Sequence, residues 1–250
     1  MQISDDLMLG PVFSGTDGAS NTAGPSPMEL GVGPMGRVYI WDVVPLTLQT
    51  AGLAASQSPT GATNLTLTAG TGVTTITNDP SGVTRYVLDT PRIVTLTSAS
   101  GTTNAGVTYT ITGYDQYGQK VTETVTGPAG SSTVNSVKTY KSVITIAQSA
   151  TSTSITAGFG DILGIPYRLL SRDYVVGANF NATAVALTAF TVADTTSPAT
   201  ASTGDVRGRI TLPSAADGTK RLVVALALPG IAAGPSATRV GALGVTQYSV

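Results

Sequence analysis

Histidine and cysteine, the residue types that carry much enzymatic chemistry, are both absent from this 250-residue chain. Their absence removes the commonest general base and any Ser–His–Asp triad. It also removes thiolate chemistry and zinc sites built on nitrogen and sulfur ligands. Carboxylates, lysines and tyrosines remain. A glycosidase needs only two carboxyl groups, and the two glutamates are Glu29 and Glu123. Glu29 sits in a stretch dense in glycine and proline. Glu123 falls on the Val121/Val125 face of a candidate strand, where a strand-edge or salt-bridged carboxylate is the simpler reading. A Ser–Lys pair would draw on Lys120, Lys138, Lys141 or Lys220, all in strand-like contexts. No phosphate-cradling GxxxxGK[ST] motif and no GxGxxG following a strand occurs.

The aspartates favour turns: Asp17-Gly18, Asn78-Asp79-Pro80, Asp115 and Asp217-Gly218. Side chains of this kind bond the local backbone in turns. Turn aspartates and carbonyls could assemble a calcium site, but no spaced ligand loop is present, and the reading carries no metal and no cofactor. Tyr109, Tyr114, Tyr117 and Tyr140 lie close to one hairpin. They read as a sugar- or protein-binding patch or, more simply, as rings packing across strands. Trp41, among Tyr39, Ile40 and Val43, reads as a core anchor. The chain is expected not to be an enzyme.

The elements that would position these residues are strands. Residues 1–36 form a distinct segment, punctuated from Gly10 to Gly36 so densely that neither helix nor strand can run far. It still holds apolar residues that a flexible linker would not need. This predicts an extended arm that orders against the body, a neighbouring subunit or a partner, with Leu7, Leu9, Phe13 and Met28 as contact residues. Residues 37–173 predict a main β-sandwich domain, and residues 174–250 a C-terminal β region packing on it or completing it. Short β-branched runs follow one another: Arg37 to Thr50, then runs starting at Asn64, Val73, Val83, Arg92 and Lys138, each bounded by turn residues. The clearest hairpin joins Val107–Gly113 to Lys120–Thr126 through a loop holding Gly118, with Val107, Tyr109 and Ile111 on one face. Asp205–Leu212 is expected to pair with Lys220–Leu228 through Asp217-Gly218. Gly160–Leu170 is the one stretch where a helical turn is expected. The fold class is all-β: an antiparallel β-sandwich or jelly-roll body with an extended arm and little or no helix.

Composition narrows the partners. Charged residues are only 11% of the chain and the formal net charge is −1. A nucleic-acid binder normally presents a basic face, and no run of Lys or Arg exists here. Low charge combined with positive mean hydropathy argues for a folded chain rather than a disordered one. Near-zero net charge also lowers the repulsion between copies. The opening MQISDDLMLG lacks the basic and apolar regions of a secretory signal, and no run of apolar residues reaches membrane-helix length. Neither nucleic acid nor membrane is expected as a partner.

Four segments, in order, resemble virion structural proteins of tailed bacteriophages, among them head decoration or cement subunits. They are Thr110–Gly127 (TITGYDQYGQKVTETVTG), Lys141–Ile146 (KSVITI), Gly160–Asp173 (GDILGIPYRLLSRD) and Thr203–Leu226. Each is a weak signal alone, and the ordered set spans roughly the last 60% of the chain. The resemblance implies a β-sandwich or jelly-roll body on the outside of a capsid, bridging major capsid proteins, with no catalytic residues. It implies a virion location after synthesis in a host bacterium. A homo-oligomer, dimer or trimer, would suit the symmetry axes of a capsid. The alternatives are another virion component (head fibre, tail or baseplate) and a carbohydrate- or protein-binding β module.

Overall fold

A computed structural model of the chain describes residues 7–11, 35–77, 82–196 and 204–228. The architecture is antiparallel β throughout, with strands curled into two sheets in the manner of a β-sandwich. In chain order the strands are β1 (Leu7–Pro11), β2 (Met35–Val43), β3 (Gln49–Gln57), β4 (Thr63–Asn64), β5 (Val73–Ile76), β6 (Arg85–Ser98), β7 (Thr108–Tyr114) and β8 (Lys120–Thr126). They continue as β9 (Thr133–Gln148), β10 (Ile155–Gly164), β11 (Val175–Phe180), β12 (Thr183–Ala184), β13 (Phe190–Thr191), β14 (Arg209–Thr211) and β15 (Leu222–Leu228). The small sheet runs β1-β2-β15-β11-β12. The large one runs β13-β14-β10-β6-β9-β7-β8, with β3 on β10, β4 on β9 and β5 on β6.

Long strands that change partners produce the curl. One edge of β6 pairs with β5 as far as Leu88 and with β10 from Arg92 onward. The register slips between Val87 and Arg92, around Pro91, which has no N–H for a ladder and is tolerated in sheets at such irregularities. The runs from Val83 and from Arg92 are therefore one strand rather than two. β10 likewise pairs with β3 over its first half and with β14 over its second, slipping between Phe159 and Leu163. Irregularities of this kind bend a strand and let it turn a corner.

The large sheet contributes to two cores, and the small sheet packs into the second of them. One core gathers Leu53, Leu96, Tyr109, Ile111, Val143 and Phe159; the other gathers Trp41, Leu163, Phe180, Phe190, Ile210 and Val224. The hairpin of β7 and β8 forms in the expected register, Ile111 opposite Glu123, with Gly118 at φ +77° in its loop. Three expectations need correction. Asp205–Leu212 does not pair with Lys220–Leu228. β14 joins β10 and β13 in the large sheet, whereas β15 joins β2 and β11 in the small one. The Asp217 turn does form, its Oδ1 accepting from the N–H groups of Thr219 and Lys220, but it is a corner between sheets. No helical turn occurs in Gly160–Leu170, whose first half is strand β10. A 3-10 turn comes just after, at Arg172–Tyr174, where the Ser171 side chain accepts from Asp173 N, and another at Leu187–Ala189. The run Arg37–Thr50 is broken at Val44–Leu48, where Pro45 ends β2.

Candidate functional site

Two groups of charged side chains sit inside the body, and both replace missing backbone partners. The first lies along β9. Its second half is flanked by β7, but at residues 137–139 side chains stand in for a strand. Glu123, on edge strand β8 and only 2% exposed, accepts from Val137 N at 2.6 Å and Lys138 N at 2.8 Å. Asp205 Oδ2 accepts from both N and Oγ1 of Thr139, and its Oδ1 accepts from Arg207 N. Arg209 donates to Val137 O at 2.8 Å. Ser136 Oγ accepts from Val94 N and donates to Lys138 O. Arg207, buried, pairs with Asp115 at 3.0 Å and lies over the Tyr117 ring.

Burial raises the Glu123 carboxyl to about 7, against the two N–H donors and the Lys138 and Arg209 charges that favour ionisation. The Lys138 amine is pushed down by the same burial. A carboxyl near neutrality has the acidity of a general acid. This one is closed off from solvent with both oxygens engaged, so no reacting atom can reach it. Its role is to seal a bulge.

The second group surrounds Arg92, which is fully buried in the irregular stretch of β6. Its Nε and Nη2 make a bidentate pair with Asp89 at 2.8 and 2.6 Å, the strongest geometry available to such a pair. Nη2 also donates to Leu46 O, Nη1 to Gly160 O, and the guanidinium lies 5.1 Å from the Phe159 ring centre. Asp89 in turn accepts from Leu46 N at 2.8 Å, tying the Val44–Leu48 segment to β6. Lys141 donates to Leu88 O and Asp89 O, and burial pushes its amine down. Above this node opens a cleft of about 470 Å³, walled by Leu46, Val73, Ile76 and Val87, with Asp89 and Lys141 inside. Two of its apolar lining residues are open to solvent, Leu46 at 37% and Ile76 at 46%, and Val44 and Leu48, two residues either side of Leu46 in the chain, are exposed as well.

Among the contact residues expected from the sequence, Leu7 and Leu9 fall in β1, which pairs with β2. Phe13 and Met28 lie outside the described residues, as do Glu29, Asp17 and Asp79. Tyr109 and Tyr140 are buried in the large-sheet core. Tyr114 and Tyr117 lie under arginines, and the Tyr117 hydroxyl donates to Pro166 O. The turn aspartates bond backbone: Asp115 Oδ1 accepts from Tyr117 N and Gln119 N. Among the described residues no group of three or more carboxylates is placed to hold a metal, and no helix is long and apolar enough to cross a membrane. The buried charges Arg92 and Arg207 and the exposed apolar residues at the cleft were not singled out from the sequence. For the exposed segment that carries Leu46 a signal existed in the alternation Val44-Pro45-Leu46-Thr47-Leu48. Compared with known protein families, curated proteins and solved structures, the chain finds no match.

Proposed function

We propose that this chain is a structural virion protein that binds the outer surface of a tailed-phage capsid and bridges adjacent major capsid proteins. The reading rests on the ordered resemblance described above and on one observation in the fold. Glu123, weighed as a possible reactant, and the charges Asp205, Asp89 and Arg92 are spent on sealing irregular backbone, while Leu46 and Ile76 at the cleft, with Val44 and Leu48 near Leu46 in the chain, are left facing solvent. A surface so low in charge gains little from a single ionic contact. Many identical apolar contacts on a lattice attach it through avidity instead. In this reading the cleft and these exposed residues receive an apolar part of the major capsid protein.

The test is co-sedimentation with capsids that lack this protein, followed by imaging of the shells. Saturating, symmetric occupancy of the outer surface is expected, falling at least tenfold for the double variant Leu46→Asp with Ile76→Asp. Absence of binding to expanded and unexpanded shells alike would overturn the proposal. Density confined to a vertex or tail would do the same, moving the chain to another virion part.

A further inference from the structure

We propose that β1 is an exchangeable strand that, when copies are crowded to millimolar local concentration, pairs with β2 of a neighbouring copy instead of its own. β2 carries the run Val38-Tyr39-Ile40-Trp41-Asp42-Val43, and one of its edges is fully occupied. Seven consecutive residues, from Val43 opposite Leu222 to Arg37 opposite Leu228, pair with β15 without a slip. An open second edge on so apolar a strand would template uncontrolled association. β1 covers the start of that edge, from Met35 to Val38, through three opposed positions with a register slip between Met8 and Pro11.

The spacing along the sequence does not fix which copy supplies that cover. Antiparallel neighbours are ordinarily joined by two to five residues, whereas 23 residues, Val12 to Pro34, separate β1 from β2. A connection of that length can span about 75 Å when extended, more than the roughly 45 Å width of a compact domain of this size. A separation of this length along a chain holds its own strand at an effective concentration of order millimolar. A neighbour held at a similar concentration therefore competes on equal terms, with identical ladder bonds made in either pairing. The formal net charge of −1 leaves little repulsion to keep copies apart. The exchange requires only a second copy of this chain, and it stands or falls independently of any capsid.

Because the chain has no cysteine, the register itself supplies the experiment. Full-length Leu7→Cys and a size-tagged Val38→Cys, opposite one another in β1 and β2, are mixed, refolded together and oxidised at micromolar and at millimolar concentration. The expected product is a disulfide-linked heterodimer whose yield rises at least tenfold across that range. The double variant Leu7→Cys with Val38→Cys should pass from closed monomers to linked dimers. A second opposed pair, Met8→Cys with Arg37→Cys, guards against one pair that refolds poorly. Val176→Cys on β11, 61% exposed and out of register, should give less than a tenth of the cross-linking. Closed monomers at every concentration would overturn the proposal. So would no disulfide in either pair, or cross-linking to Val176 as readily as to Val38.

Discussion

Tyr109, Ile111 and Val121 reach the large-sheet core from a single hairpin. Trp41 reaches the second core and lies directly opposite Val224, far along the chain. Both cores are buried, yet the first is drawn from one continuous span, Leu53 to Phe159, whereas the second joins Tyr39 and Trp41 of β2 to residues from Leu163 to Leu226. Local pairing needs little loop closure, whereas distant pairing must overcome more chain entropy before any contact repays it. The two are nonetheless mechanically joined. β10 carries Phe159 into the first core and, four residues on, Leu163 into the second. The comparison teaches that a locally legible half can act as the template on which the distant half closes.

The most damaging way to probe that comparison is to hollow out each core in turn. Phe159→Ala and Phe180→Ala, at residues 0% and 2% exposed, are each expected to cost about 3–5 kcal/mol. Because β10 passes through both cores, either change should lower one shared urea midpoint. That midpoint is followed by far-ultraviolet circular dichroism and by the fluorescence of Trp41, the only tryptophan, which reports the small-sheet core. If Phe159→Ala moves the dichroism midpoint and leaves the Trp41 transition in place, the two cores are independent.

A smaller effect separates the regions by pH. Glu123 lies on the large-sheet side, and its carboxyl is raised from 4.5 to about 7. The native state therefore keeps a proton that the unfolded chain has released across that interval, and stability falls as pH rises through it. At 1.36 kcal/mol per pH unit the loss is about 3 kcal/mol, complete above pH 7 and absent below the unfolded value. Glu123→Gln should flatten the dependence, as measured by denaturant midpoints between pH 5 and pH 8. A wild-type midpoint that rises over the same range would reverse the argument.

At the small-sheet edge, Asn181 and Ala182 turn between β11 and β12 with φ of +49° and +62°. Alanine is strained there and glycine is not, so Ala182→Gly should stabilise by about 1 kcal/mol, read as a raised melting temperature. A fall would mean that the turn adopts another conformation in solution. The least consequence is expected at the exposed Arg221–Asp42 pair bridging β15 and β2. Such pairs are screened and entropically costly, so Arg221→Ala should leave the midpoint unchanged at about 0.15 M salt. A clear drop would show that the seam between the chain ends needs the ion pair as well as apolar contact.

Which parts were legible follows the same division. The β7–β8 hairpin was readable because alternation, the Asp115 turn and Gly118 all lie within one short window. The Asp217 turn was equally readable, but its strands were assigned to each other because a turn signal says that the chain reverses without saying which sheet each side enters. The broken register at Pro91 escaped because a proline inside a run reads as a boundary, and here Arg92 and Asp89 hold the backbone together across it. The position of Glu123 on the Val121/Val125 face was visible in the sequence. Its engagement with the Val137 and Lys138 N–H groups was not, since that depends on where β9 departs from β7.

The sequence by itself determined an all-β antiparallel chain, and its composition argued against a nucleic-acid surface. Period-two patterning, β-branched content and charge are local or additive properties that need no coordinates. Only the tertiary structure decided that the chain's distant parts share one small sheet, that buried arginines and carboxylates replace absent strand partners, and that Leu46 and Ile76 meet at one open cleft. Those facts depend on which edge meets which, and identical edges carry identical hydrogen-bonding groups. Partner choice therefore rests on side-chain packing and on the unpaired groups that remain once the whole chain has closed.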